Sequence, residues 1–225
     1  MTLSVVALVP MRHHSERVPG KNYRSFNGRP LFHHIVSTLL DVDRVGRVVI
    51  DTDSPTVKAQ AGEHFPDVLV IDRPAELLGG DVPMTEVLRH DATAVPADWY
   101  LQTHSTNPLL KASTVEAALD RMAASLESHD SLFSVTRWQT RLYDAEGRPM
   151  NHDPSTLLRT QDLPPVFEEN SNLYLFTAEQ IAAGRRIGSA PILFEIDALE
   201  AVDIDEERDF LLAEMLDRLS SDATP

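Results

Sequence analysis

Runs that read as β-strands alternate with helical patterns along almost the whole chain, and this alternation limits the fold more than any other feature. Strand-like segments at 4–9, 45–50, 68–71, 99–103, 131–136 and 172–176 are separated by helical patterns near 30–41, 55–64, 84–94, 112–127 and 206–219. Strand, helix and strand repeating at these lengths predict parallel βαβ units, a mostly parallel sheet covered by helices. The first run, Val5 to Pro10, is apolar at five of its six positions, as suits a strand buried on both faces. In the best helix Val115, Ala118, Leu119, Met122 and Leu126 share one face, a stripe read as core.

The chain has 225 residues, 42% of them hydrophobic, enough for one sizeable core. Residues 1–219 are read as a single domain. Between Trp138 and Val166 the periodicity fades among Pro149, Pro154, Pro164 and Pro165, so residues 138–166 are expected to form an inserted loop or dimerisation segment. Residues 220–225 read as a flexible tail. With 35 acidic against 20 basic side chains the formal charge is -15, which opposes binding to nucleic acid or an anionic membrane. There is no cysteine, no run long enough to span a membrane and no signal-peptide pattern, so a cytoplasmic location is expected.

Against that acidic background the segment after the first strand is basic. Arg12, Arg17 and Lys21 fall within ten residues, with Pro19-Gly20 forcing a turn. Ligands bind beyond the carboxyl ends of strands in open α/β sheets, so this loop is placed to neutralise a polyphosphate. It is neither a Walker A loop nor G-x-G-x-x-G, and must rely on side chains more than on backbone amides. A solvated basic loop is the plainer alternative.

The order P-x-R-x-x-S-x-R-x-P-G-K-N, given by Pro10, Arg12, Ser15, Arg17, Pro19, Gly20, Lys21 and Asn22, resembles the signature of acylneuraminate-type cytidylyltransferases. These enzymes join CMP from CTP to an acidic sugar. The resemblance implies a three-layer, Rossmann-like α/β nucleotidyltransferase fold. It implies that Arg12 and Lys21 contact the triphosphate as the catalytic cations, with Ser15 and Arg17 assisting and Asn22 facing cytosine. Asn22 as a helix cap is the alternative. A homodimer is also implied, because in the family the later excursion commonly packs on a second subunit.

Other stretches carry the resemblance further. Asp203 and Asp205 flank Ile204, and an extended backbone points both carboxylates to one side. Paired carboxylates facing a triphosphate imply Mg²⁺, and the family has the same D-x-D; a helix N-terminus, with Asp205 as its cap, is the competing reading. Val48 to Asp53 looks like the family's strand ending in S-T-D, with Asp51 in place of Ser and Asp53 favoured as the cap of the helix near Pro55. Arg73-Pro74 to Leu77, then Asp81 and Thr85, resemble a region near the nucleotide, which implies CTP contacts from Arg73 and Thr85.

For the acceptor, the segment Leu101 to Leu109 resembles the family's L-Q-P-T-S-P-L in two registers. Anchoring on Pro108 gives the acceptor contact to His104, the preferred alignment; anchoring on Leu101-Gln102 gives it to Gln102. Arg159 to Pro164, with Asn170 and Tyr174, resembles R-R-Q-x-L-P followed by N-G-x-x-Y. This implies that Arg159 and Gln161 bind the acceptor, although a surface ion pair serves Arg159 equally well.

Departures from the family lie at His13-His14 for Gly-Gly, Thr160 for Arg, and Ser171-Asn172 for a Gly-Ala type pair. The expectation is a Mg²⁺-dependent cytidylyltransferase that joins CMP to a sialic-acid-like 2-keto sugar acid, with pyrophosphate released. A phosphonate acceptor in natural-product biosynthesis is one alternative. Others are a sugar-1-phosphate nucleotidyltransferase using another base and a non-catalytic nucleotide-binding protein.

Overall fold

The computed structural model describes residues 3–222. Its seven-stranded sheet has the order β5-β4-β1-β6-β8-β7-β9. The strands are β1 (Val5–Pro10), β4 (Val45–Thr52), β5 (Leu69–Asp72), β6 (Trp99–Thr103), β7 (Ser131–Trp138), β8 (Val166–Thr177) and β9 (Pro191–Glu195), and a two-stranded ribbon of β2 (Ser25–Phe26) and β3 (Arg29–Pro30) stands apart. Each neighbouring pair in the large sheet is parallel except those of β8, which runs against both β6 and β7. The helices are α1 (Leu31–Leu40), α2 (Pro55–His64), α3 (Met84–Ala94), α4 (Ala112–Ala123), α5 (Ala178–Ala182) and α6 (Glu207–Asp222).

Alternation along β1 explains the layers. Val5, Ala7 and Val9 pack into one core with Phe32, Ile35 and Leu39 of α1 and Val115 and Leu119 of α4. Leu8 points the other way, into a second core with Leu88 of α3, Tyr100, Tyr174 and Ile181 of α5. A strand with apolar side chains on both faces can only lie in the middle of such a sandwich. A third cluster joins Val18 and Phe26 to Ile204, Phe210 and Ala213, which seats the start of α6 beside the loop after β1.

Connectivity then fixes where a ligand can sit. From β1 the chain moves outward through α1 to β4 and through α2 to β5, and α3 brings it back to β6 on the other side of β1. The gap between the carboxyl ends of β1 and β6 is therefore the topological switch point.

Several boundaries differ from those expected. Helix α4 ends at Ala123, which leaves Leu126 exposed beyond the stripe of Val115, Ala118, Leu119 and Met122. Helix α6 continues to Asp222, so Ser220 to Asp222 are helical and not a tail; residues 223–225 lie outside the described part. Strand β9 was not anticipated, because it is a short edge strand headed by Pro191 with Leu193 half in solvent. Residues 139–165 form an excursion with one isolated bridge, Tyr143 to Pro149, and a 3₁₀ turn at Thr160–Asp162. Among the described residues no helix is long and apolar enough to cross a membrane.

Candidate functional site

A cleft of about 300 Å³ opens at the switch point, walled by the loop after β1 and by His104, Ser105 and Thr106 after β6. Arg12, Ser15, Arg17, Lys21 and Asn22 line it, as do His14 and Glu16. Six of the residues expected at the site, five from the loop after β1 and one just beyond β6, thus meet at this cleft.

The loop is pinned from behind. Met11 N–H bonds to the Asp51 carbonyl at 2.9 Å, and His13 N–H to Asp53 Oδ1 at 2.7 Å. His13 Nδ1 lies 2.8 Å from Ser54 Oγ and the ring stacks on Tyr23, so His13 holds the loop while His14 faces the cleft. Asp53 accordingly does not cap α2; Ser54 does, accepting from Val57 N–H. Gly20 has φ 66°, and a Cβ there would lie 2.8 Å from the Tyr23 ring, which ties this turn to glycine.

Asn22 does not cap a helix either. It is buried, donates from Nδ2 to the Arg12 carbonyl at 2.7 Å and accepts from Ser105 Oγ at 2.6 Å, which clasps the two walls together. That leaves one amide hydrogen and one carbonyl lone pair for a ligand. Arg12 donates to the Leu78 carbonyl at 3.3 Å.

Lys21 reaches across to the D-x-D segment and donates to the Ile204 carbonyl at 2.5 Å. Burial pulls its ammonium below the ordinary lysine value, against Asp203 and Asp205, which pull it up. Ile204 N–H bonds to the Thr106 carbonyl at 3.0 Å, so the segment is docked on the β6 side of the cleft. Asp205 pairs with Arg17 at 2.7 Å on the surface. Asp205 is not the cap of α6, because Asp209 Oδ2 accepts from the N–H groups of Asp205 and Glu206.

Asp203 Oδ1 is buried without a hydrogen-bond partner, and burial raises the Asp203 pKa first, with Asp205 adding to the rise. An orphaned carboxylate oxygen beside a second carboxylate is a hard-oxygen pair that fits Mg²⁺. The residues present therefore suit the metal expected from the sequence.

Behind the loop lies a second charged group. Arg73 does not line the cleft: its guanidinium is buried and bonded to Asp51. The cause is Asp51 itself, a fully buried carboxylate where the family has Ser, which has to be neutralised. Asp91 of α3 and His90 approach the same place, with ligating atoms of Asp51, His90 and Asp91 within 4.8 Å of one another. Arg73 already supplies the positive charge there. Thr85, on the first turn of α3, is also absent from the cleft wall.

On the acceptor side the two alternatives prove to be one unit. Gln102 Nε2 lies 2.8 Å from His104 Nε2, while Arg186 donates to Gln102 Oε1 at 2.9 Å. Arg186 lies over the Tyr174 ring at 3.7 Å and donates to its hydroxyl at 2.9 Å and to Glu169 at 3.3 Å. Tyr174 in turn bonds to Glu169, and burial pushes its pKa up to about 12. His104 falls to about 4, through burial first and then the charges of Arg186 and Lys21, so its imidazole is neutral at pH 7. Arg186 carried no motif in the sequence, and only the reversal of β8 brings its partners here.

Arg159 and Gln161 lie apart from the cleft on the excursion. Arg159 is exposed and its fork is taken by Asp162, three residues on, at 2.7 and 3.1 Å. Gln161 offers its carbonyl to Gln139. Asn170 bridges β8 to β7 through Ser134 and Thr136.

With this geometry in place, comparison with known proteins is informative. The chain is 27% identical to the CMP-N,N'-diacetyllegionaminic acid synthase of Legionella pneumophila subsp. pneumophila, over 98% of this chain and 99% of that protein. It is 24% identical to the N-acylneuraminate cytidylyltransferase of Escherichia coli O18:K1:H7 over 95% of this chain, and spans 52% of that longer protein. A solved CMP:2-keto-3-deoxy-manno-octonic acid synthetase, complexed with CTP, shares the fold with a TM-score of 0.70 over 97% of this chain and 99% of that one, at 15% identity. Residues 6–221 match a single protein family from end to end, and by that match the chain belongs to the cytidylyltransferases.

Proposed function

We infer that this protein transfers CMP from CTP to an acidic sugar of the 2-keto-3-deoxy type and releases pyrophosphate. The observation that carries the reading is the meeting of Arg12, Arg17 and Lys21, from the loop after β1, with His104 and the D-x-D segment docked on the β6 side of the same cleft.

Nucleotidyl transfer forms a bond from an acceptor hydroxyl oxygen to the α-phosphorus of CTP and breaks the bond to the β-phosphate oxygen. The protein must neutralise the triphosphate, hold the pyrophosphate and place the acceptor in line. Arg12 and Lys21 would supply fixed positive charge at the phosphates, with Arg17 at the rim and Ser15 as a hydroxyl donor. Asn22 would present its remaining amide hydrogen and lone pair to the base. Asp203 and Asp205 would hold Mg²⁺, which supplies charge neutralisation at the phosphates when bound. His104, neutral at pH 7, donates without titrating and orients the acceptor together with Gln102.

Similarity to synthases of CMP-legionaminic acid and CMP-octulosonic acid supports a nine- or eight-carbon sugar acid as acceptor. Of the departures behind the phosphonate alternative, His14 faces the cleft, whereas His13 is turned to Ser54 and Tyr23. The excursion presents Tyr143, Met150 and Leu157 to solvent, the last at 87% exposure, which supports a homodimer formed through this segment.

The test is pyrophosphate release from CTP, with and without Mg²⁺, over a panel of sialic-type, octulosonic and phosphonate acceptors, with UTP and GTP as control donors. Release with CTP and a sugar acid supports the reading. Release with UTP or GTP in preference, or CTP binding with no release across the panel, would replace it by another nucleotidyltransferase or by a nucleotide-binding protein.

A further inference from the structure

The cleft wall at His104 is supported by a chain of side chains that runs back to β8. Arg186 is held by three contacts: its guanidinium plane lies over the Tyr174 ring, and its N–H groups bond to the Tyr174 hydroxyl and to Glu169. Fixed in this way, it donates from Nη1 to Gln102 Oε1 at 2.9 Å. An amide whose oxygen faces a guanidinium must turn its NH₂ the other way, because the oxygen can only accept and the nitrogen can only donate. The nitrogen of Gln102 therefore points at His104 Nε2, 2.8 Å away. A ring nitrogen that receives an N–H carries no proton, so the proton of neutral His104 sits on Nδ1.

We propose that Arg186 is a positioning residue that sets the tautomer of His104 through Gln102, so that the imidazole presents Nδ1–H as a fixed neutral donor to the acceptor. The part concerning the acceptor rests on the cytidylyl-transfer reading given above; the part concerning the tautomer does not. The arrangement is a directional relay in which each member has a single allowed orientation: Glu169 accepts, Tyr174 and Arg186 donate, Gln102 turns, and His104 follows. Glu169 also balances Arg186, so the relay adds no net charge at the wall where an anionic acceptor and CTP would meet.

The experiment is ¹⁵N NMR of histidine side chains in protein labelled at its nine histidines, with His104→Gln used to assign the His104 signals. At pH 7 wild-type His104 should show a pyrrole-type Nδ1 and a pyridine-type Nε2. Arg186→Met keeps an apolar stem over Tyr174 but removes the donor, and should shift His104 toward the Nε2–H form or a mixture. The same variant should lower kcat/KM for the acceptor by about tenfold while leaving KM for CTP unchanged, the size expected for one misdirected hydrogen bond. Gln102→Glu places only acceptors beside the ring and should drive the proton onto Nε2, which tests the same link in a variant that leaves Arg186 in place.

An Nε2–H tautomer in the wild type overturns the proposal, and so does an unchanged Nδ1–H signal in both variants. If the tautomers behave as stated but no acid acceptor turns over, the relay stands and the acceptor reading fails.

Discussion

Asp91 offers the most quantitative prediction. Its carboxyl is fully buried against Asp51, and as two anions the pair would leave both Asp91 oxygens and Asp51 Oδ2 without donors. One retained proton gives the pair a hydrogen bond. Burial, then the bond and charge of Asp51, push the Asp91 pKa up to about 9, with Arg73 opposing. In the unfolded chain the same group titrates near an ordinary aspartate, about 3.9. Between these values the folded state binds the proton and the unfolded state does not, so stability falls as pH rises through this window. The slope for one proton is ~1.4 kcal/mol per pH unit, or roughly 4 kcal/mol from pH 5 to pH 8 as an upper bound. Asp91→Asn keeps the volume, supplies a permanent N–H to Asp51 and does not titrate. The stability of the variant minus that of the wild type should therefore grow in the variant's favour by about 1 kcal/mol per pH unit across this range. Urea melts at pH 5, 6, 7 and 8 at constant ionic strength measure it. A difference that does not change with pH would mean that Asp91 is ionised in the folded protein, and the shared-proton reasoning would be refuted.

Three further outcomes follow from the cleft. Lys21→Ala removes the cation that bridges the loop to the Ile204 carbonyl and should weaken CTP binding by ~1.5–3 kcal/mol, read by titration calorimetry. Unchanged affinity would remove Lys21 from the phosphate site. Gly20→Ala forces a side chain into a left-handed turn against the Tyr23 ring and should cost ~1–2 kcal/mol of stability, visible as a lower Tm, together with weaker CTP binding. A wild-type Tm would show that the loop has another conformation available. Arg159→Ala loses only an exposed pair with Asp162 and should leave Tm and CTP affinity within about 0.5 kcal/mol of wild type. A large drop in CTP affinity would place Arg159 at the nucleotide, away from the acceptor role that the resemblance implies.

The helical and strand periods were legible wherever burial was complete. Helices α2 and α3 and strand β6 have the bounds their patterns predict: Ser54 and Pro55 mark the start of α2, and Val57 and Ala61 of α2, Leu88 of α3 and Tyr100 and Leu101 of β6 face the two large cores. The basic loop was legible too, since its chemistry lies in a single contiguous segment. What escaped has a common cause. The first half of β8 is exposed and polar, with Phe167, Glu168 and Glu169 in the open, so no period marked it as strand. Arg73 was assigned by position in a motif, and a single change at Asp51 turns that side chain inward as a counter-ion. Arg159 was assigned in the same way, and a carboxylate three residues away occupies its donors. Contacts that depend on one partner far along the chain leave no trace in local spacing.

The direction of β8 links these points to function. In a strand parallel to β6, the end beside Gln102 and His104 would be the carboxyl end, and the residues delivered there would come after Phe176. Because β8 is antiparallel, Gln102 pairs with Tyr174 and Thr103 with Leu173, and the upstream residues Glu169 to Ser171 continue past the end of β6, with Glu169 paired to Val135 of β7. Ser171 takes φ 55° there, a conformation an L-residue adopts at some cost and glycine adopts freely, and its hydroxyl lies 3.2 Å from that of Tyr174. The reversal thus places an acid, a phenol and, through the loop after α5, a guanidinium behind His104 at the cleft wall.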